Sequence, residues 1–101
     1  MHVCRYGEIC DAINERWYVQ FLYDGLDRVV IPAHVGILNG EHTLVGFQVG
    51  GESSHGSLSD WRHFHVGKIR NFEILEWPIE NYPPGYKRGA GRLRMSVCCE
   101  L

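Results

Sequence analysis

The sequence contains no long hydrophobic run, no large excess of charge of one sign and no Cys-x-x-Cys pair. Its apolar stretches, such as residues 29–31, are far shorter than the roughly 20 residues that cross a bilayer, so no membrane span is predicted. A net charge of −2 excludes a strongly basic nucleic-acid binder, and 45% hydrophobic residues exclude a disordered chain. We therefore expect one globular domain over residues 1–101.

The amino terminus lacks the apolar run of a secretory signal, which favours a cytoplasmic location. In a reducing cytosol we expect Cys4, Cys10, Cys98 and Cys99 to be free thiols that serve as small hydrophobic side chains. The adjacent Cys98 and Cys99 are awkwardly spaced for zinc. The even number of cysteines also allows a disulfide framework, which is the less favoured interpretation.

Charge is distributed unevenly along the chain. Residues 1–60 hold three basic and eight acidic groups, a balance of −5, whereas residues 61–101 hold seven basic and four acidic groups, a balance of +3. Such asymmetry favours a positive face that attracts an anion or a phosphate backbone. The alternative is an ordinary solvated surface of mixed charge.

Hydrophobic periodicity predicts one helix followed by several short strands. The helix is expected at residues 6–16, because its apolar positions share one helical face. Pro32 is expected to stop the second strand, and Asn39-Gly40 is a strong hairpin signal. The predicted strands are residues 17–23, 28–31, 42–49, 61–66 and 69–75. A short segment at 33–38 leads into the hairpin, and residues 50–60 are expected to form a flexible surface loop.

These elements indicate a mainly β, α+β domain. A small closed or nearly closed β-barrel over residues 17–75 is favoured because closure removes exposed strand edges. The preceding helix would pack on this barrel, and an irregular segment rich in aromatic residues and proline, residues 76–101, would wrap its outside. An open sheet packed on the helix is the alternative, because it allows the same pattern.

Three segments together resemble the WYL domain family. Residues 28–32 have the family form Arg-x-x-x-Pro, residues 44–47 read Leu-Val-Gly-Phe, and residues 61–69 contain Arg-x-Phe followed by a basic residue and Ile. The resemblance covers about residues 17–75, and more loosely residues 84–86. The chain departs from the family where His42-Thr43-Leu44 stands in place of Trp-Tyr-Leu.

The resemblance implies an SH3-type, Sm-like barrel that senses a ligand or a nucleic acid. Members of the family are usually fused to helix-turn-helix DNA-binding domains in bacterial transcription regulators. The single predicted helix is too short to form such a domain, so a DNA-binding regulator would act in trans.

Basic side chains are the main candidates for a binding site. On a strand over residues 61–66, Arg62 shares a face with Phe64. The resemblance places an arginine equivalent to Arg62 in a ligand site, and Arg28 and Lys68 match basic positions of the same pattern. We expect these three residues to bind phosphate or carboxylate through charge-assisted hydrogen bonds. The alternative is that the arginines form structural ion pairs with Asp24, Asp27 or Asp60.

Aromatic and histidine side chains give weaker candidates. Trp61 and Tyr18 are suited to stack on bases, although plugging the ends of a small barrel is the favoured role. His63 and His65 share a strand face and would be the first ligands of a metal, with His34, His42 or His55 as a third ligand. No carboxylate or cysteine lies at a telling spacing, so no metal is expected.

The sequence thus predicts a non-enzymatic binding or regulatory module for an anionic small molecule, a nucleotide or a single-stranded nucleic acid. No catalytic residue and no cofactor are expected. One alternative is a structural protein that self-associates into a homo-oligomer through an edge strand or the segment 82–86. The other is a histidine-based metal-binding protein with hydrolytic chemistry.

Overall fold

The computed structural model describes residues 6–51, 60–89 and 94–101. Cys4, His55 and residues 52–59 of the predicted loop at 50–60 lie outside these residues. One helix and six strands are present, with a single turn of 3₁₀ helix at Val66–Lys68. In chain order they are α1 (Gly7–Glu15), β1 (Trp17–Tyr23), β2 (Leu26–Leu38), β3 (Glu41–Gly51), β4 (Asp60–His65), β5 (Arg70–Pro78) and β6 (Ser96–Glu100).

The six strands form one antiparallel sheet. Five strands follow the order β4-β3-β2-β1-β5, and β6 also pairs with β2. Strand β1 pairs with residues 26–30 of β2, whereas β6 pairs with residues 34–37. No strand pairing among the described residues joins β4 to β5, so the sheet is not closed. The expected closed barrel is therefore corrected to an open sheet that packs against a helix.

The sheet is nevertheless bent enough for β4 to contact β1 through side chains. The rings of Phe21 and Phe64 meet edge to face with centroids 4.9 Å apart. Tyr23 also lies edge-on to Phe64, at 5.0 Å, and its hydroxyl accepts a hydrogen bond from the backbone N–H of His65. Aromatic packing across the concave face thus brings the end of β1 next to β4.

Strand β2 runs through Pro32 instead of ending there, which corrects the sequence prediction. Pro32 lies opposite Gly46 and His34 lies opposite Val45, so Ala33 is an extra residue in β2. A β-bulge tolerates proline because the regular ladder is already interrupted at that point. Pro32 also lies in the gap between the β2 residues that pair with β1 and those that pair with β6.

Helix α1 lies on the sheet through the face that the periodicity predicts. Ile9, Cys10, Ala12 and Ile13 are buried, and they join a core to which β1, β2, β3 and β4 contribute. The backbone N–H of Ile79, just beyond β5, donates to the Arg16 carbonyl oxygen at 2.8 Å. The same apolar stripe therefore forms the helix and fixes its position.

The carboxyl-terminal part of the chain is more regular than its sequence suggests. Strand β5 continues to Pro78, and β6 forms a strand where the sequence left helix and strand open. Between them, Tyr86 donates its hydroxyl to a main-chain oxygen of Leu101 at 2.6 Å. The indole of Trp61 donates to the Pro84 carbonyl oxygen at 2.8 Å, which ties this segment to β4.

Cys10, Cys98 and Cys99 are not free thiols, contrary to the prediction. Cys10 of α1 and Cys99 of β6 form a disulfide that links residues 89 positions apart, and Cys98 is also disulfide-bonded. The error arose because the two partners are distant in sequence and meet only when β6 docks beside α1. No helix in the described ranges has the length and apolar character of a membrane span.

Candidate functional site

A cavity of about 310 Å³ opens where the end of β1 and the start of β2 face β4. Strand β4 supplies one wall, and the β1–β2 turn supplies the other. The aromatic contacts that bend the sheet therefore also form the cavity. Its described lining residues are Tyr23, Asp24, Arg28, Trp61, Arg62, His63 and Phe64.

Arg28 is a buried charged residue in this cavity. Only 5% of its surface is exposed, and an arginine side chain does not lose its charge in proteins. Its guanidinium donates to the Gln48 side-chain oxygen at 3.3 Å and to the Tyr23 carbonyl oxygen at 3.2 Å. Both acceptors are neutral, and within the described residues the Nε atom of Arg28 has no hydrogen-bond partner.

Aromatic rings surround the same guanidinium. Its central carbon lies 5.7 Å from the centroid of the Tyr23 ring and 6.0 Å from that of Phe64. Cation–π attraction to these rings offsets part of the free-energy cost of burying the charge, by on the order of 1 kcal/mol. In the described part of the chain the one ion pair within 4.0 Å joins Arg88 and Glu100, so Arg28 is not paired with Asp24, Asp27 or Asp60 as the alternative required.

The end of β3 holds Arg28 in place. Gln48 is fully buried, and its amide nitrogen donates to the Gly50 carbonyl oxygen at 3.0 Å, which turns its side-chain oxygen toward Arg28. Gly51 lies directly opposite Arg28 in the β2–β3 register. Its φ is +83°, and a Cβ at this position would overlap the main-chain oxygen of Asp27, so glycine is needed there.

Arg62 adds a second guanidinium to the cavity from β4. The alternation predicted for this strand is confirmed, because Phe64 is buried and Arg62 half-buried, whereas His63 and His65 are exposed. Asp24 is the one carboxylate among the described lining residues. Among the described lining residues, two arginines stand against one aspartate, so these residues together carry a net positive charge.

The predicted basic cluster is brought together only in part. Arg28 and Arg62 line one cavity, whereas Lys68 lies exposed in the 3₁₀ turn and is not among the lining residues. Trp61 lines the cavity, but its ring also packs against Phe47 at 5.6 Å and Tyr86 at 6.4 Å.

Tyr18 lies elsewhere, and its ring contacts Trp77 of β5 at 6.1 Å. Of the two predicted stacking residues, only Trp61 therefore borders the basic cavity.

The histidines do not converge on a metal site within the described ranges. The group of potential ligands that does converge there consists of three cysteines and includes neither His63 nor His65. His34 is half-buried, and burial lowers its pKa, an effect opposed by the nearby Glu100 and reinforced by His63.

Sequence reasoning missed Tyr23 and Gln48 as residues of the site, and it named Asp24 only as a structural ion-pair partner of the arginines. Gln48 had a signal, because it lies four residues after Leu44 on the same face of its strand and is thus a polar residue in a core position. Tyr23 and Asp24 had no such signal beyond the dipeptide Asp24-Gly25, which is typical of a turn. Their distance from β4 depends on how the sheet bends.

Comparison of the chain with protein-family models, with curated proteins and with solved structures finds no match. Membership in the WYL family therefore stays a prediction from the sequence motifs.

Proposed function

We propose that this protein is a non-enzymatic binding module whose cavity between Arg28 and Arg62 takes the phosphate or carboxylate group of a small anionic ligand. The observation that carries the proposal is the buried guanidinium of Arg28, which faces the cavity with neutral hydrogen-bond acceptors and no carboxylate partner among the described residues. A ligand anion would supply the missing counter-charge.

Burial deprives the Arg28 guanidinium of its hydration. Burying an ion costs several kcal/mol unless a partner of opposite charge compensates it. A guanidinium offers donors in a planar fork that matches two oxygens of a phosphate or carboxylate, and such charge-assisted bonds are stronger than neutral ones. The second guanidinium, from Arg62, lines the same cavity and adds to its positive potential.

The size and walls of the cavity narrow the ligand class. About 310 Å³ is at the lower end of the range for small-molecule sites, which run from about 300 to 1,000 Å³. Tyr23, Trp61 and Phe64 give the walls an aromatic character. A nucleotide, or one nucleotide of a single strand, combines an anionic group with a flat ring and is the ligand class that we favour.

Two finer assignments belong to the same proposal. We assign the chain to the WYL-like proteins with an SH3-type or Sm-like ancestry, on the order and spacing of its motifs and the strongly bent antiparallel sheet. We also propose that ligand binding is passed to a DNA-binding regulator in trans in the cytoplasm. Copurification with such a regulator, tested with and without ligand, would examine this step.

The binding test is calorimetric titration at low salt with inorganic phosphate, nucleoside monophosphates and short single-stranded oligonucleotides. Arg28→Met and Arg62→Met are each expected to weaken binding at least about tenfold, because each removes a charged hydrogen-bond donor. Arg70→Met is the matched control, because Arg70 is exposed and donates only to nearby backbone oxygens. Lys68→Met decides whether this residue contributes although it does not line the cavity.

The outcomes separate the ligand classes. Tighter binding of an oligonucleotide than of a mononucleotide, with strong salt dependence, would identify a single strand as the ligand. Asp24→Asn is expected to tighten anion binding about two- to fivefold, because it removes the carboxylate from the cavity. Absence of saturable binding, or equal binding by wild type and Arg28→Met, would contradict the proposal.

Self-association is the second candidate function. Strand β5 is an edge strand, and Trp77 on it is 55% exposed beside Tyr18. An exposed edge with large aromatic side chains favours pairing with another copy. Light scattering over a dilution series tests this candidate, and a strict monomer at high concentration would exclude it. The segment 82–86 is the weaker interface, because Tyr86 is already bonded within the chain.

A further inference from the structure

A cluster of three cysteine sulfurs lies between helix α1 and strand β6, and none of these cysteines lines the proposed anion site. It comprises Cys10 of α1 with Cys98 and Cys99 of β6, and their sulfur atoms all lie within 4.8 Å of one another. Cys10 and Cys99 are joined as a disulfide with Cα atoms 5.6 Å apart, and Cys98 is also oxidised.

Two adjacent residues of a regular strand point to opposite faces of the sheet, so the convergence of Cys98 and Cys99 needs an explanation. The β2–β6 register supplies it. Val35 lies opposite Cys99 and the next residue, Gly36, lies opposite Val97, which makes Cys98 the extra residue of a β-bulge. Bulges redirect side chains, and this one allows both sulfurs to approach the same helix.

The cluster is held by contacts that do not depend on the disulfide. Cys10 lies on the buried apolar face of α1 between Ile9 and Ala12. Strand β6 is fixed by its pairing with β2 and by the hydrogen bond from the Leu101 N–H to the Ala33 carbonyl oxygen at 2.7 Å. We therefore expect the three sulfurs to stay close together after reduction.

We propose that, in the reduced protein, Cys10, Cys98 and Cys99 form a three-thiolate site for a soft divalent metal such as Zn²⁺. Tetrahedral zinc with Zn–S bonds of about 2.3 Å places its sulfurs about 3.8 Å apart. The three sulfurs lie within 4.8 Å of one another, so reduction need only let the bonded sulfurs of Cys10 and Cys99 move apart to reach this spacing. A fourth, exchangeable ligand would complete the coordination. This site differs from the histidine site considered from the sequence, and it is independent of anion binding.

The chemistry is a reversible exchange of disulfides for metal–thiolate bonds. A dithiol reductant delivers two electrons and two protons to each disulfide and is itself oxidised, which leaves two cysteine thiols. Each thiol that then binds the metal releases its proton to solvent. Because the cytosol keeps thiols reduced, a cytoplasmic protein would present the metal-binding form.

The test uses the full chain without a histidine tag, reduced with a phosphine under anaerobic conditions and titrated with Co²⁺ followed by Zn²⁺. We expect one equivalent of Co²⁺ to produce thiolate-to-cobalt charge-transfer absorption, and Zn²⁺ to abolish it. Cys10→Ser, Cys98→Ser and Cys99→Ser should each lower affinity at least about tenfold. His65→Ala, which removes a candidate ligand outside the cluster, should bind as wild type does.

All proteins are compared in the reduced state, in which neither wild type nor the serine variants have a cross-link at these positions. A difference in metal affinity can therefore not be caused by loss of a disulfide. Far-ultraviolet circular dichroism selects the variants that remain folded, and Cys98→Ser is the variant of choice because Cys98 is only half-buried. Folded reduced wild type that gives no charge-transfer absorption would overturn the proposal. So would wild-type affinity in Cys98→Ser.

Discussion

Replacing Arg28 with methionine is expected to stabilise the ligand-free protein while weakening its anion binding at least about tenfold. Methionine is long enough to occupy most of the same space, and it carries neither charge nor hydrogen-bond donors. The cavity would keep its aromatic walls and lose the charge that faces it. Gain of stability together with loss of binding would distinguish a binding residue from a structural one.

The expected size of this effect follows from the surroundings of Arg28. The substitution loses two long hydrogen bonds to neutral oxygens, at 3.2 and 3.3 Å, which contribute about 1 kcal/mol each. It also loses the cation–π contacts with Tyr23 and Phe64, worth about 1 kcal/mol. Relief of a desolvation penalty of several kcal/mol outweighs these losses. We expect a net gain of about 1–2 kcal/mol in the free energy of unfolding.

The assay is urea denaturation of oxidised wild type, Arg28→Met and Arg70→Met in a buffer without phosphate or carboxylate anions. In thermal unfolding, each kcal/mol gained in the free energy of unfolding is expected to raise the melting temperature by about 4–8 °C. The Arg70→Met control, which removes the same charge from the surface, should stay within about 0.5 kcal/mol of wild type. Destabilisation of Arg28→Met by more than about 1 kcal/mol would refute the reasoning, because it would show that the fold itself compensates the guanidinium.

Three further predictions concern the elements around the site. Gly51→Ala should destabilise the protein by about 1–3 kcal/mol in urea denaturation, because its φ is positive and the added Cβ would overlap the main chain of β2. His34→Gln should make unfolding less sensitive to acid: burial lowers the folded-state pKa of His34 despite the opposing field of Glu100, so wild type loses stability as the pH falls below about 6.5, the unfolded value. Tyr86→Phe should cost about 1 kcal/mol in thermal unfolding, because it removes the hydrogen bond to Leu101.

A specific outcome would contradict each of these three predictions. Gly50→Ala is the control for Gly51, because Gly50 has a negative or extended φ and an added Cβ would make ordinary contacts, the nearest at 3.6 Å. Equal losses in the two alanine variants would rule out the conformational explanation. A His34→Gln variant as sensitive to acid as wild type would place the titrating group elsewhere. A Tyr86→Phe variant with unchanged stability would show that water replaces the hydroxyl contact.

Local signals in the sequence accounted for the regular elements. The apolar stripe of α1 and the Asn39-Gly40 hairpin, whose residues both have positive φ, lie where the pattern predicted them. The prediction went wrong at Pro32, because a bulge allows proline inside a paired strand and no residue pattern announces that bulge. The sequence could also not decide whether the sheet is open or closed, because short alternating strands suit both arrangements equally.

The candidate site was predictable only as far as alternation along one strand reached. The shared face of Arg62 and Phe64 follows from the period of two, whereas Arg28 was named because it matches the Arg-x-x-x-Pro motif of the WYL resemblance. Lys68 does not line the cavity, because the chain turns through a 3₁₀ helix after β4, and its part in binding stays a prediction. The Cys10–Cys99 disulfide depends on contacts 89 positions apart, which no local pattern encodes.

The central claim is that the Arg28 guanidinium is the charge that meets the ligand anion. Its most direct test is a ¹H–¹⁵N NMR titration that follows the arginine Nε–H signals while a nucleoside monophosphate is added. We predict that the Arg28 signal shifts saturably with one-to-one stoichiometry, because its Nε has no partner among the described residues, while the signal of exposed Arg70 stays in place. Saturable binding elsewhere with an unmoved Arg28 signal, or no binding at millimolar ligand, would contradict the claim.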